Sequence, residues 1–243
     1  PRAFIAQMLA PLTPALADRN VSLRGLRDTL INLLLRLRMK FIQWRYWRPL
    51  LRAVREPRRM QMAVLSDIIR SNRNTRYGRE HGFTEIQDYA DFCRQVPYND
   101  YETLRPYIEA AGDDGLPALV EADISMYAVT SGTTAEPKLL PVTRRMLKDY
   151  QRNQAIFSLL QYQHRPAAFY GRYLGIVGGA VEGTTQSGTP YGSISGVLNG
   201  RMPRLAQYKY TTPAAIFELE DYQLKYYLVL RLALMHRNLS YIV

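Results

Sequence analysis

Hydroxyl side chains, one glycine and one lysine crowd a short stretch of the sequence that could bind phosphates. The stretch YAVTSGTTAEPKLLPVT runs over Tyr127–Thr143. Gly132 lets backbone amides turn towards an anion, and Lys138 adds a positive charge on a long side chain. We therefore predict a phosphate-binding loop over residues 130–138. The hydroxyl groups that could join it belong to Thr130, Ser131, Thr133 and Thr134.

The stretch matches neither of two familiar phosphate-binding patterns. A Walker-type loop requires G-x-x-x-x-G-K-[ST] and a dinucleotide fingerprint requires G-x-G-x-x-G, but Gly132 is the only glycine between Gly115 and Gly171. The loop does follow a predicted strand, Ile124–Val129, and precede a predicted helix, which is where phosphate-binding loops are found. From composition alone, a polar turn with a solvated lysine fits equally well.

Helices and strands are predicted to alternate around this loop. Apolar periodicity predicts a helix after Pro57, a helix that Thr84 caps and a long helix that Thr143 caps. A strand is predicted from Gly171, a last helix after Pro213 and a final strand at LSYIV. This alternation predicts an α/β fold, with a β-sheet flanked by helices. The last helix is expected to bury Ile216, Leu219, Tyr226, Leu230 and Leu234.

The composition is that of a folded protein with excess positive charge. Of the 243 residues, 47% are hydrophobic and 22% are charged, and the formal net charge is +11. No apolar run approaches the roughly 18 residues that would suggest a membrane span. A single cysteine, Cys93, excludes an internal disulfide, and we interpret it as a packing residue in a cytoplasmic protein. The histidines lie at no metal-ligand spacing, so no metal ligand is predicted.

The positive charge is concentrated near the start of the chain. Between Arg19 and Arg59 the sequence carries many arginines against only Asp28 and Glu56. Apolar residues interleave with them at three- and four-residue spacing, which predicts a basic amphipathic helix. We assign it to a segment over residues 1–56, ahead of a separate domain over residues 57–243. The apolar set is Leu30, Leu33, Leu34, Leu37, Phe41, Trp44, Trp47 and Leu51.

Three interpretations of this helix stay open. The favoured one is that the apolar stripe packs on the domain while the arginines face water, because such stripes are ordinary in folded proteins. A second is peripheral contact with an anionic membrane through residues 24–55, with Trp44 and Trp47 at the interface. The third is nucleic-acid binding, which we do not expect.

Three stretches together resemble one protein family. TSGTTAEPK resembles the phosphate motif of adenylate-forming enzymes, roughly [ST]-S-G-[ST]-[ST]-G-x-P-K, with Ala135 in place of the usual glycine. The spacings T-x-Y-G-x-x-x-G-F, D-F-x-x-x-V-P and Y-E-x-L-x-P-Y-I in Arg70–Glu109 are similar to the auxin-responsive-promoter family of acyl acid–amido synthetases. The glycine-rich stretch Leu174–Gly196 looks like the bacterial branch of that family. The resemblance covers about Met60 to Val243.

This resemblance implies the N-terminal part of the large adenylate-forming-enzyme domain and a reaction in two steps. ATP with Mg²⁺ would activate a small carboxylic acid as an acyl-adenylate, and the amine of an amino acid would then displace AMP to give an amide. Lys138 matches the basic residue of the family's motif. The other residues implied in the ATP-phosphate loop are Thr130, Ser131, Gly132, Thr133 and Thr134.

Two weaker assignments concern the acyl pocket. Gln154, Phe157 and Gln161 share one face of the helix after the loop, although an ordinary core helix is the favoured alternative. Gly178 and Gly179 could approach substrate through bare backbone, and a flexible surface loop fits them equally well.

The same resemblance places the adenine and ribose contacts, a carboxylate for Mg²⁺ and a mobile C-terminal domain beyond Val243. We therefore expect an N-terminal fragment that does not catalyse alone. Transfer of the acyl group to coenzyme A, a non-enzymatic membrane- or nucleic-acid-binding role for the basic helix, and a decayed paralogue stay open as alternatives. The acyl substrate and the oligomeric state are not assigned.

Overall fold

The chain divides into two compact units, Pro1–Phe41 and Ile42–Val243. The predicted boundary between residues 56 and 57 falls at a turn between two helices of the second unit, and it stays a prediction. The structure is a computed structural model that describes residues 21–110, 117–130, 137–202 and 204–243.

A long basic helix, α1, occupies the described part of the first unit. It runs over Val21–Ile42, so the predicted helix is present. It buries Ile31 and Met39, which are 6% and 5% exposed. The interpretation that the predicted stripe packs is wrong, because its members other than the half-buried Trp47 are between 39% and 62% exposed. Residues at three- and four-residue spacing form two apolar stripes on this helix, and spacing does not say which one is buried.

The second unit begins with a run of helices. A π-helical turn, Gln43–Trp47, follows α1. Pro57 opens the longest helix of the run, where the missing amide hydrogen of proline leaves no intrahelical bond unmade. The helices are α2 (Arg48–Ala53), α3 (Pro57–Asn72), α4 (Arg76–Glu80), α5 (Tyr89–Gln95) and α6 (Tyr101–Glu109).

Short polar side chains fix where these helices begin. The carboxylate of Asp100 accepts a hydrogen bond from the amide of Thr103 at 2.9 Å, within a capping box at the start of α6. The prediction that Thr84 caps a helix is wrong, because α5 begins later and Asp88 accepts from the Asp91 amide at 2.8 Å. Both residues are good N-caps by type, and only the path of the chain chooses between them.

The helices of this run enclose a small aromatic and aliphatic core. Ile69, Tyr77 and Phe83 are buried there, and Phe92 packs against them from α5. Cys93, the next residue on that helix, is exposed. The interpretation of Cys93 as a packing residue is therefore wrong, because adjacent helical residues point in different directions.

Two sheets follow the helices. The larger has the strand order β2-β1-β5-β4, in which β1 pairs antiparallel with β2 and parallel with β5. In the smaller sheet, β3 pairs parallel with β6, the predicted final strand. The strands are β1 (Ile124–Thr130), β2 (Lys138–Thr143), β3 (Arg172–Leu174), β4 (Gly183–Thr184), β5 (Pro190–Gly192) and β6 (Leu239–Ile242).

The predicted phosphate loop joins two strands, not a strand and a helix. β1 extends over the predicted strand, but a second strand, β2, comes between the loop and the following helix. β2 lies at the edge of the sheet, where Pro141 is tolerated because an edge strand can spare an amide hydrogen. The sequence pattern did not predict this strand because its short apolar run contains a proline.

Five helices follow or alternate with the later strands in the described residues. Thr143 caps α7 as predicted, since its hydroxyl accepts a hydrogen bond from the Met146 amide at 3.2 Å. Val142 and Leu147 lie in the core between α7 and the larger sheet. This arrangement confirms the predicted α/β fold. The helices are α7 (Arg144–His164), α8 (Ile194–Gly200), α9 (Arg204–Gln207), α10 (Ala214–Phe217) and α11 (Tyr222–Leu234).

The last long helix, α11, buries a different face from the predicted one. Ile216 in α10 is buried and Leu219 is partly buried, as expected. Tyr226, Leu230 and Leu234 are exposed, so their predicted burial is wrong. The buried residues of α11 are Lys225, Leu228, Val229, Leu232 and Ala233. The helix is apolar on several sides, and periodicity alone does not select the side that meets the sheet.

Candidate phosphate-binding hairpin

The two described ends of the predicted loop face each other across a β-hairpin. Thr130, the last residue of β1, pairs with Lys138, the first residue of β2. Directly opposed residues of an antiparallel pair lie on the same face of the sheet, so both side chains project from one face at the mouth of the hairpin. The loop residues Ser131, Gly132, Thr133 and Thr134 lie outside the described residues, and their assignment stays a prediction.

The stem of this hairpin is anchored in the core. Met126, Tyr127 and Ala128 of β1 are buried, and Val142 of β2 is fully buried. Burial raises the pKa of Tyr127, which stays a neutral phenol. An anchored stem presents Thr130 and Lys138 from rigid strands, so little conformational entropy is lost when they meet a ligand.

Lys138 is held against an aromatic ring. Its Nζ lies 5.1 Å from the ring centroid of Tyr101, the first residue of α6, within range of a cation–π interaction. The amide of Leu139 donates to the hydroxyl of Tyr101 at 3.1 Å. Tyr101 therefore fixes both the backbone and the side chain at the start of β2. This tyrosine belongs to the Y-E-x-L-x-P-Y-I spacing, but the sequence does not indicate its contact with the lysine.

The hairpin changes the source of positive potential at the site. A loop directly before a helix would use the partial positive charge of the helix N-terminus. Here β2 separates the loop from α7, and the Thr143 hydroxyl already accepts from the Met146 amide of that helix. Anion binding at this loop therefore depends on its own amides and hydroxyls and on Lys138.

Gln154, Phe157 and Gln161 occupy one face of α7, whose buried residues are Leu147 and Leu159. Gln154 and Phe157 are exposed. Gln161 is half-buried, and its side-chain oxygen accepts a hydrogen bond from the Tyr241 hydroxyl at 2.5 Å. Their role in an acyl pocket stays a prediction.

Gly178 and Gly179 contact the start of α8. The Gly178 amide donates to the Ser195 hydroxyl at 3.3 Å, and the Ser193 amide donates to the Gly179 carbonyl at 3.0 Å. A Cβ atom at Gly178 would stand 2.6 Å from the Ser193 hydroxyl oxygen. Close packing is therefore one reason for glycine here, and the predicted contact with substrate is untested.

Tyrosines form a cluster where the smaller sheet meets α7. Tyr173 lies edge-to-face with Phe169 at 6.2 Å and with Tyr210 at 5.7 Å between ring centroids. Burial and the neighbouring tyrosines raise the pKa of Tyr173. The Lys209 ammonium donates to the Tyr170 carbonyl at 2.8 Å. This cluster also reaches Gln161 through Tyr241, which gives that glutamine a structural role.

A cavity of about 330 Å³ lies in the helical part of the second unit, between α3 and the segment over residues 83–88. Arg70, Arg73 and Phe83 are among the residues that line it, and none of the predicted site residues is.

Within the part of the chain that the structure describes, no cluster of three or more His, Cys, Asp or Glu side chains could hold a metal ion. None of the described helices is long and apolar enough to cross a membrane.

The fold and the hairpin agree with sequence comparison on the class of protein. The GH3 family N-terminal domain matches residues 48–243, and the chain belongs to this family. The match begins after the π-helical turn, so it leaves out the whole of α1. This result confirms the resemblance to acyl acid–amido synthetases, while membership of a bacterial branch stays a prediction.

Relatives from Arabidopsis thaliana match parts of the chain. Indole-3-acetic acid-amido synthetase GH3.2 is 34% identical over 108 residues, which cover 44% of this chain and 19% of that protein. Indole-3-acetic acid-amido synthetase GH3.4 is 30% identical over 141 residues, which cover 56% of this chain and 23% of that protein. The chain thus aligns with about a fifth of the length of these curated relatives.

Solved structures show the same fold. GH3.15 acyl acid amido synthetase superposes with a TM-score of 0.62 at 25% identity, over 72% of this chain and 31% of that one. AtGH3.15 acyl acid amido synthetase in complex with 2,4-DB gives a TM-score of 0.61 at 25% identity, over 70% of this chain and 30% of that one.

Proposed function

We propose that this chain supplies the phosphate-binding hairpin of an ATP-dependent acyl acid–amido synthetase of the cytoplasm. The observation that carries the proposal is the pairing of Thr130 with Lys138 across the hairpin mouth, in a chain that belongs to the GH3 family. The substrates would be ATP, a small carboxylic acid and an amino acid. Relatives named as amido synthetases support the amine as acceptor.

The residues at the hairpin mouth fit a polyphosphate by their chemistry. Lys138 brings a half-buried ammonium group that Tyr101 holds in place, and Thr130 brings a hydroxyl donor. The loop sequence SGTT adds hydroxyls and a glycine whose backbone amides can turn towards an anion. Mg²⁺ neutralises phosphate charge in reactions of ATP and belongs to the proposal, although none of the described residues is assigned to hold it.

These residues would act by stabilising charge that develops in the reaction. When the carboxylate of the acid attacks the α-phosphorus, negative charge grows on the departing pyrophosphate. Preplaced donors lower the energy of that state more than the energy of bound ATP, which accelerates the step. Lys138 suits this role because its ammonium is a compact charge on a flexible stem. The amine of the amino acid then attacks the acyl carbon, an amide bond forms and AMP leaves.

We also propose that residues 1–243 do not complete the reaction alone. They align with less than a third of the solved relatives, and the described residues offer no metal-ligand cluster. The activity is therefore a property of the full-length protein.

ATP–pyrophosphate exchange by the full-length protein, measured over a panel of carboxylic acids, tests this proposal. We expect exchange with at least one acid and a loss of about 10²- to 10³-fold in Lys138→Ala, the size seen when one preorganised donor is removed. Lys148→Ala, which removes an exposed lysine from α7, is the matched control and should exchange normally. No exchange with any acid and no ATP binding would overturn the proposal and would favour a decayed paralogue.

Product analysis decides the acceptor. After incubation with amino acids or with coenzyme A, mass spectrometry should find the amide. A thioester in its place would show that the chain belongs to an adenylating enzyme of the acyl-coenzyme A synthetase type.

A further inference from the structure

Helix α1 exposes a continuous apolar stripe. Leu30, Leu33, Leu34, Leu37 and Phe41 recur at three- and four-residue spacing, and each of them is at least 39% exposed. The helix buries its opposite side, where Ile31 and Met39 lie. Leucine side chains left in water along several helical turns cost free energy that burial against an apolar phase would recover.

Cations border this stripe on both sides. At 3.6 residues per turn, Arg36 and Lys40 fall on one edge, and Arg27 and Arg38 fall on the other. All four are exposed. Asp28, the single acidic residue of α1, falls near the buried side and is half-buried. The exposed surface is therefore apolar in its centre and positive along both edges.

We propose that this face of α1 binds an anionic membrane surface, with the helix lying parallel to the bilayer. The leucines and Phe41 would enter the boundary between headgroups and acyl chains. The arginine and lysine stems would extend sideways so that their charges meet lipid phosphates. The helix lies on the bilayer and does not span it, since no described helix is long and apolar enough to cross.

The charge pattern selects a lipid surface over the other possible occupants. Two copies of α1 packed through their stripes would bring Arg36, Lys40, Arg27 and Arg38 of both helices together without an exposed acid on that face. A nucleic acid would place its phosphates against the apolar centre, which gains nothing from them. An anionic bilayer offers an apolar interior and negative headgroups in the matching arrangement.

This surface is separate from the proposed catalytic chemistry. The GH3 family match begins at residue 48, beyond the stripe, and the phosphate hairpin lies at residues 130–138. Membrane attachment would hold the enzyme where apolar carboxylic acids partition, without altering the residues that activate them.

Vesicle binding by the full-length protein tests this inference. Wild type should sediment with vesicles of phosphatidylcholine and phosphatidylserine more strongly than with phosphatidylcholine alone, and high salt should weaken the binding. Leu33→Glu with Leu37→Glu should lower the partition coefficient at least about tenfold, because charges enter the apolar stripe. Val64→Glu is the matched control, since Val64 is 56% exposed and Leu37 54%, and should bind as wild type does.

Several results would overturn the inference. These are absence of binding to phosphatidylserine vesicles, equal binding by the Leu33→Glu and Leu37→Glu variant, or tighter binding of duplex DNA than of vesicles. A concentration-dependent dimer that the variant loses, without vesicle binding, would assign the face to a second copy. Circular dichroism should give both variants the wild-type melting temperature, and both should keep wild-type pyrophosphate exchange.

Discussion

At the scale of single residues, Lys138 has a defined position because Tyr101 contacts it. The ring faces the ammonium at 5.1 Å, and the phenol oxygen accepts from the next backbone amide at 3.1 Å. Arg105 lies near the same ring, with its Cζ 5.7 Å from the centroid. A lysine on a flexible stem loses rotamer entropy when it meets a phosphate, and a ring that already restricts it reduces that loss.

Removing the ring should weaken phosphate stabilisation without unfolding the protein. A cation–π contact at a partly exposed site is worth about 0.5–1 kcal/mol, so Tyr101→Leu should slow pyrophosphate exchange by roughly two- to fivefold. Tyr101→Phe keeps the ring and should retain most of the rate. Exchange rates at saturating and limiting ATP, together with melting temperatures, measure this. Equal rates in the leucine and phenylalanine variants would remove Tyr101 from the positioning of Lys138.

At the scale of elements, close backbone approach joins the glycine-rich loop to α8. A Cβ atom at Gly196 would stand 2.5 Å from the Gly178 carbonyl oxygen and 2.6 Å from the Ala180 amide nitrogen. Gly196 is buried, whereas Gly200 in the same helix is exposed, and a Cβ there meets nothing within 4 Å. The two glycines share a helix and differ in their surroundings.

Alanine substitutions at these two positions should therefore have opposite effects. Gly196→Ala should lower the free energy of unfolding by about 1–3 kcal/mol, because the added methyl group must displace backbone atoms. Gly200→Ala should leave stability unchanged or raise it by up to about 1 kcal/mol, because alanine restricts the unfolded chain. Urea denaturation midpoints compare them. A Gly196→Ala midpoint at or above wild type would contradict the close approach.

At the scale of the whole molecule, one histidine at the end of α11 lies near the smaller sheet. His236 follows α11 and lies near Arg172 of β3. Burial and, to a smaller extent, the nearby guanidinium lower the pKa of His236. In the unfolded chain this side chain takes up a proton below its ordinary pKa of about 6.5. In the folded protein it resists protonation at the same pH.

This difference makes stability depend on pH. Where the unfolded state binds more protons than the folded state, stability rises with pH. The contribution of His236 is therefore intact above about pH 6.5 and falls as the solution becomes more acidic. Urea midpoints at pH 5.5 and 7.5 should differ less in His236→Gln than in wild type. The same pH dependence in both proteins would show that other groups carry it.

Local interactions made several elements predictable from the sequence. Thr143 caps its helix because a hydroxyl and a nearby amide meet within three residues. The strand that became β1 was predicted from a short apolar run, and the basic helix from its charge and spacing. The residue types around Lys138 also indicated phosphate binding, and the motif spacings in Arg70–Glu109 indicated the family to which the chain belongs.

Long-range packing decided what the sequence left open. Helices α1 and α11 each carry more than one apolar stripe, and only tertiary contacts determine which stripe is buried, so both predicted faces were wrong. β2 forms because it pairs with β1 at the edge of the sheet, and a run that contains a proline does not predict this pairing. Tyr101 meets Lys138 although 37 positions separate them. Periodicity reports the geometry of one element, whereas burial and pairing depend on free energies gained between elements distant along the chain.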